Sequence, residues 1–211
     1  MKDKVPHTKF PFRCQPDCCV YNADSGHNNS LNSSLIECLI EFKTGSDYDP
    51  FEQHVRSQST AARSVRNPFM STSLSGRKVA GQITAYATWV LSAQYRTHVF
   101  LVLVLKDFSR LIRWDRGGAV VTAPIYHNQE PHLLDFLTRF KDADPQARGQ
   151  DITVRPPTKG EELKARELAE LAGTTSLLSL SIYDSSQLHE SRYIICAPCS
   201  RPDVPAGRWT F

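Results

Sequence analysis

Residues 98–105 read His-Val-Phe-Leu-Val-Leu-Val-Leu, apolar at every position after the first. A strand with no polar face cannot lie against water, so this run belongs at the centre of a sheet covered on both sides. What covers it must come from its neighbours. Just upstream, Val79, Ile83, Tyr86, Ala87, Val90, Leu91 and Gln94 recur with the rhythm of one buried helical stripe. Before that, 35–43 alternates, with Ile36, Cys38, Ile40 and Phe42 on one face and Glu37, Leu39, Glu41 and Lys43 on the other. Residues 18–21, 109–114 and 119–125 supply further strands. Leu133, Leu134, Leu137 and Phe140 mark a second helix. The expected class is mixed α/β (α+β): a central mixed sheet with flanking helices. The 211 residues, 40% of them hydrophobic, suffice for one domain, or one domain plus a fragment.

The connections are less regular. Residues 22–34 are rich in Asn and Ser and read as a surface loop. Residues 44–78 read as an irregular connection with a short helix near 51–56, and the Asp, Pro and Gly of 142–160 read as a linker. A helix is expected over 161–172 with Gly173 as its cap, and a last strand over 192–197. The net charge of +3 argues by itself for neither nucleic acid nor membrane. No run approaches the ~20 apolar residues of a membrane span. With no apolar stretch behind its first charges, the chain reads as intracellular and soluble. Six cysteines in a chain this long do not make a disulfide framework, and the lone Cys196-x-x-Cys199 lacks the second ligand pair of a zinc site.

One constellation carries chemistry. Glu41 and Lys43, two apart on a strand, share a face, and Pro16-Asp17 begins an adjacent strand 24 positions earlier. Two carboxylates can hold Mg2+, and an ammonium beside them can favour hydroxide and offset developing charge. Gln82, early in the following helix, faces the same sheet edge. This P-D…E-x-K pattern resembles the core of the restriction-endonuclease-like superfamily. The resemblance implies Asp17, Glu41 and Lys43 as catalytic residues of a nuclease-like site, with Asp17 and Glu41 as Mg2+ ligands. The same residues are also compatible with a solvated strand edge, or with a site whose fold is kept and chemistry lost. Arg110, Arg113, Trp114, Asp115 and Arg116 suggest a corner fixed by arginine stacking on Trp114 and pairing with Asp115, or else an anion contact. Arg56, Arg63, Arg66, Arg77 and Lys78 leave nucleic-acid binding open. The histidines, His98, His127 and His132 among them, show no metal spacing, and there is no phosphate-binding glycine loop or nucleophile elbow.

A wider likeness runs through Gly81-Gln82-Ile83-Thr84-Ala85-Tyr86-Ala87, then Gln94-Tyr95-Arg96-Thr97-His98-Val99-Phe100, then Arg110-Leu111-Ile112-Arg113-Trp114-Asp115-Arg116-Gly117-Gly118. It continues in Phe136-Leu137-Thr138-Arg139-Phe140 and Arg148-Gly149-Gln150-Asp151. Together these resemble the fungal-type protein kinase domain family, best over 36–155. The resemblance implies an endonuclease-like N-terminal module over 1–155, then a linker, a helix and the start of a truncated kinase-like N-lobe over 156–211. The apolar Leu177, Leu178, Leu180, Ile182, Ile194 and Ile195 would belong to that orphaned piece. Kinase chemistry needs a catalytic-loop Asp and a D-F-G metal ligand, and the sequence contains neither H-R-D nor D-F-G. The expectation is a non-catalytic N-terminal portion of a kinase-like protein, inactive as a kinase alone. No cofactor is expected beyond Mg2+ under the nuclease-like alternative, ATP belonging to full-length relatives. The partner is an unknown protein or the missing kinase lobes.

Overall fold

The computed structural model describes residues 14–25, 31–52, 69–169, 177–184 and 189–196. The helix expected near 51–56, Arg56, Arg63, Arg66, Gly173, Cys199 and the 205–210 tail lie, wholly or mostly, outside them. Five strands form one sheet in sequence order: β1 (Cys18–Tyr21), β2 (Ile36–Phe42), β3 (His98–Val104), β4 (Ser109–Asp115) and β5 (Gly118–Val121). β2 and β3 are parallel and every other pairing is antiparallel. The parallel pair needs a crossover, which α1 (Leu74–Ala93) supplies. β3 is the middle strand, with Val99, Leu101, Val102 and Leu103 at most 1% exposed.

The sheet is covered on both faces. Val79, Ile83, Tyr86, Ala87 and Val90 of α1 pack with Leu39, Leu101, Leu103 and Ile112. On the opposite face α2 (His132–Asp142) sets Leu133, Phe136 and Phe140 against Cys38, Ile40, Phe100 and Val102. Phe100 meets Phe136 and Phe140 edge-on, with centroids 5.5 and 5.8 Å apart. α1 begins five residues before its apolar stripe because Ser73 caps it, its hydroxyl accepting from Gly76 N–H at 2.9 Å. Two details depart from the expected faces. A bulge at Val20/Tyr21 shifts the start of β2, so Ile36 packs on the α1 side instead of with Cys38 and Ile40. Leu134 points to solvent at 67% exposure, leaving the α2 stripe to Leu133, Phe136 and Phe140.

Residues 142–160 are not a loose linker. Asp144 accepts from Ala147 N–H at 2.7 Å, and Gly149 N–H bonds Gln146 O at 2.9 Å. Gly149 adopts φ +98° where its chain presses on His98, so close that a Cβ would sit 2.1 Å from His98 O. β6 (Val154–Arg155) then opens a second, three-stranded antiparallel sheet with β7 (Leu177–Asp184) and β8 (His189–Cys196). α3 (Lys159–Ala169) follows β6, its first turn tied by Thr158 N–H donating to Glu161 at 2.7 Å. The expected orphan strand therefore has partners: Ile194 and Ile195 lie opposite Ser179 and Leu178. Among the described residues no helix is long and apolar enough to cross a membrane.

Candidate functional site

The antiparallel register of β1 on β2 pairs Cys18 with Ile40, which sets Asp17 alongside Glu41 and Phe42. The two strands are stitched there by reciprocal bonds. Asp17 N–H donates to Glu41 Oε2 at 3.3 Å, and Phe42 N–H donates to Asp17 Oδ2 at 2.9 Å. Lys43 follows β2 directly, its backbone held by Val104 O at 2.8 Å and its ammonium paired with Glu41 Oε1. From α1, Gln82 Nε2 reaches the same Glu41 oxygen at 2.7 Å. Asp17, Glu41, Lys43 and Gln82, spread over 66 positions, thus meet at one place, the C-terminal end of β2. Open α/β sheets bind ligands beyond the carboxyl ends of their parallel strands.

Tyr86 completes the set. It lies one turn beyond Gln82 on α1, accepts from Gln82 Nε2 at 2.8 Å and donates its hydroxyl to Gln15 O at 2.9 Å. That chain fixes the Gln82 amide: its two N–H groups serve Tyr86 and Glu41, so the nitrogen must face the carboxylate. Burial raises the Tyr86 phenol above its usual pKa, with the nearby Glu41 charge adding to the rise. Sequence reasoning placed Tyr86 in the core stripe, where it is, and missed the hydroxyl's role; the i, i+4 spacing from Gln82 was the available signal. Glu41 is 1% exposed, whereas Asp17 is open to solvent.

A second polar cluster sits at the other end of β2, about 13 Å away at ~3.3 Å per strand residue. Buried Glu37 pairs with Arg96 at 2.8 Å and accepts from Gln150 Nε2 at 2.8 Å. Arg96 also donates to Gln94 Oε1 at 2.5 Å and Arg148 O at 2.7 Å. His98 Nε2 lies 3.2 Å from Ala147 O, and because a carbonyl only accepts, that nitrogen carries the proton. Burial holds the His98 imidazole below its usual pKa. The bonds and ion pairs of this cluster join Glu37 and residues 94–98 to 147–150, which makes it a structural clasp.

The arginine corner forms in part as expected: Arg113 pairs with Asp115 at 3.7 Å, and Asp115 also holds the turn, accepting from Gly117 and Gly118 N–H at 2.8 and 3.1 Å. Arg110 goes elsewhere, buried against Asp49 with Nε 2.9 Å from both carboxylate oxygens. Trp114 packs against the core. Cys14, Cys18, Cys19 and Cys38 are free thiols, and burial pushes the Cys38 thiol up to about 12. Among the described residues no group of three or more His, Cys, Asp or Glu could hold a metal. No family model matches the chain, and no curated protein or solved structure matches it either.

Proposed function

We propose that this chain is a nuclease-like module that cleaves phosphodiester bonds with Mg2+, using Asp17, Glu41 and Lys43. The observation that carries the reading is the convergence of those three with Gln82 at the carboxyl end of β2. The donor chemistry fits the ion, since Mg2+ is commonly held by one or two carboxylates, waters and substrate phosphates. Asp17 Oδ1 makes no hydrogen bond with a described residue, and Asp17 faces solvent. Asp17 and Glu41 would hold the ion, which would polarise the phosphate and lower the pKa of a bound water. Lys43 places a positive charge where the pentacovalent phosphate gathers negative charge. Gln82, braced by Tyr86, keeps the Glu41 carboxylate aimed.

The likeness to the fungal-type kinase family enters as context. Its motif residues 94–98 and 148–150 meet in the structural clasp around Glu37, away from the acidic site. We therefore read those motifs as scaffold, and propose no phosphoryl transfer from ATP by this chain. One observation favours a second reading, a non-catalytic portion that keeps the fold: both Glu41 oxygens already have protein partners.

Melting in Mg2+ or Mn2+ separates the two. A ligand at 100 times its Kd stabilises by ~2.7 kcal/mol. For a chain of this size that is roughly 5–11 °C in Tm. The nuclease-like reading expects this rise in the parent and its loss in Asp17→Asn. An unchanged Tm supports the non-catalytic reading.

A further inference from the structure

A groove of about 320 Å³ opens beside the acidic site, lined by Phe42, Lys43, Tyr48, Ser75, Lys78 and Gln82 among others. Lys78 lies one turn before Gln82 on α1, so both face the same way, and Gln82 touches Glu41. Lys43 and Gln82, the two side chains that bond Glu41, thus form one wall of the groove, with Glu41 buried behind them. The charge of the groove is supplied by Lys43 and Lys78. Lys78 is exposed and forms no ion pair with a described residue. Tyr48 stands 37% exposed on a short 3-10 turn (Ser46–Tyr48).

That turn is held firmly. The Ser75 and Ser73 hydroxyls donate to Asp47 O at 2.9 and 3.3 Å, Tyr48 N–H bonds Gly45 O at 3.3 Å, and the next residue is Asp49, locked on Arg110. An aromatic ring carried on a held turn in the lining of a groove gives a flat ligand a surface whose backbone need not be ordered on binding. The size matters too. Small-ligand pockets span ~300–1,000 Å³, so this one suits a single nucleotide unit and not the girth of a duplex.

We infer that this groove seats one unpaired nucleotide of a single-stranded nucleic acid, with its base on the Tyr48 ring and its phosphate on Lys43 and Lys78. The inference rests on the nuclease-like reading for its orientation toward Glu41. Stacking on aromatic rings tolerates any base, so the groove selects strandedness over sequence.

The test is fluorescence anisotropy with labelled oligothymidylate, oligouridylate and a blunt duplex of equal length, with Ca2+ in place of Mg2+. The expected result is tighter binding of a single strand than of duplex, and the two sugars show which strand is preferred. Tyr48→Ala weakens single-strand binding about ten-fold, and Tyr48→Trp retains it. Lys78→Ala lowers the log–log salt slope by about 0.7. A 5-iodouracil strand cross-links to Tyr48. Duplex binding as tight as single strand, or a Tyr48→Ala chain that folds and binds unchanged, overturns the inference. The nuclease-like reading fails separately: binding through Tyr48 without any Mg2+-dependent cleavage keeps the groove and removes the chemistry, whereas cleavage confined to duplex does the reverse.

Discussion

Replacing Asp49 with Ala strikes an ion pair that is buried and bonded three times over. The side chains of Arg110 and Asp49 are 4% and 9% exposed. Arg110 Nε contacts both Asp49 oxygens at 2.9 Å and Nη2 contacts Oδ2 at 2.5 Å, while Phe51 and Phe108 rings lie 5.7 Å from its guanidinium carbon. Among the described residues, truncating Asp49 leaves Arg110 hydrogen-bonded to Thr122 O at 2.9 Å and Phe51 O at 3.3 Å, a buried cation without its anion. Breaking such a pair costs about 3–5 kcal/mol. At about 2–4 °C per kcal/mol for a chain of this size, Tm falls by roughly 6–20 °C. Guanidinium denaturation followed by circular dichroism gives the energy directly. The double variant Asp49→Leu/Arg110→Met removes both charges, and is expected to be more stable than Asp49→Ala because no unpaired ion remains. A single-variant loss below about 1 kcal/mol, the level of an exposed pair, would refute the reasoning.

Two glycines should respond with opposite signs. Gly149→Ala forces a Cβ within 2.1 Å of His98 O at φ +98° and should markedly lower Tm, whereas Gly81→Ala, mid-helix with nothing within 4 Å, should stabilise by about 0.5–1 kcal/mol. His98 should contribute a pH dependence. Its folded-state pKa lies below the ordinary 6.5, through burial first and then Arg113 and Arg96, with Ala147 O and Asp115 opposing. The unfolded chain therefore takes up a proton that the folded one refuses, and stability falls as pH drops below about 6.5. In denaturation curves from pH 7 to 5, His98→Asn should show a shallower loss than the parent; an equal slope would contradict the assignment.

Glu41 and Lys43 were readable because strand alternation puts them on one face, and Gln82 because an early helical residue after that strand points at the same edge. Asp17 followed from the adjacent strand. Other pairings left no local trace. Asp49 and Arg110 are 61 positions apart, and nothing near either announces that both will be buried. Glu37 meets Gln150 across 113 positions for the same reason. The 142–160 segment misled because Asp, Pro and Gly serve ordered turns as readily as loose linkers: Asp151 Oδ1 accepts from both Thr153 N and Oγ1, at 3.0 and 2.6 Å. In β7, Leu178, Leu180 and Ile182 alternate with Ser179 and Ser181, a period-2 signal for a strand, yet Leu177 and Ser179 are the buried residues and Ile182 is 49% exposed, so the pattern does not tell which face is covered.

The most direct test of the acidic site is cleavage itself. Purified chain is incubated with single-stranded and duplex DNA and RNA in Mg2+, Mn2+ or EDTA, beside Lys43→Met and Asp17→Asn variants shown to be folded. The account predicts metal-dependent cleavage in the parent, abolished by EDTA and reduced at least a hundred-fold in each variant, the scale set by losing one charge-stabilising group (~10²–10³). Absence of cleavage in the parent, or variants that cut as fast as the parent, would contradict it.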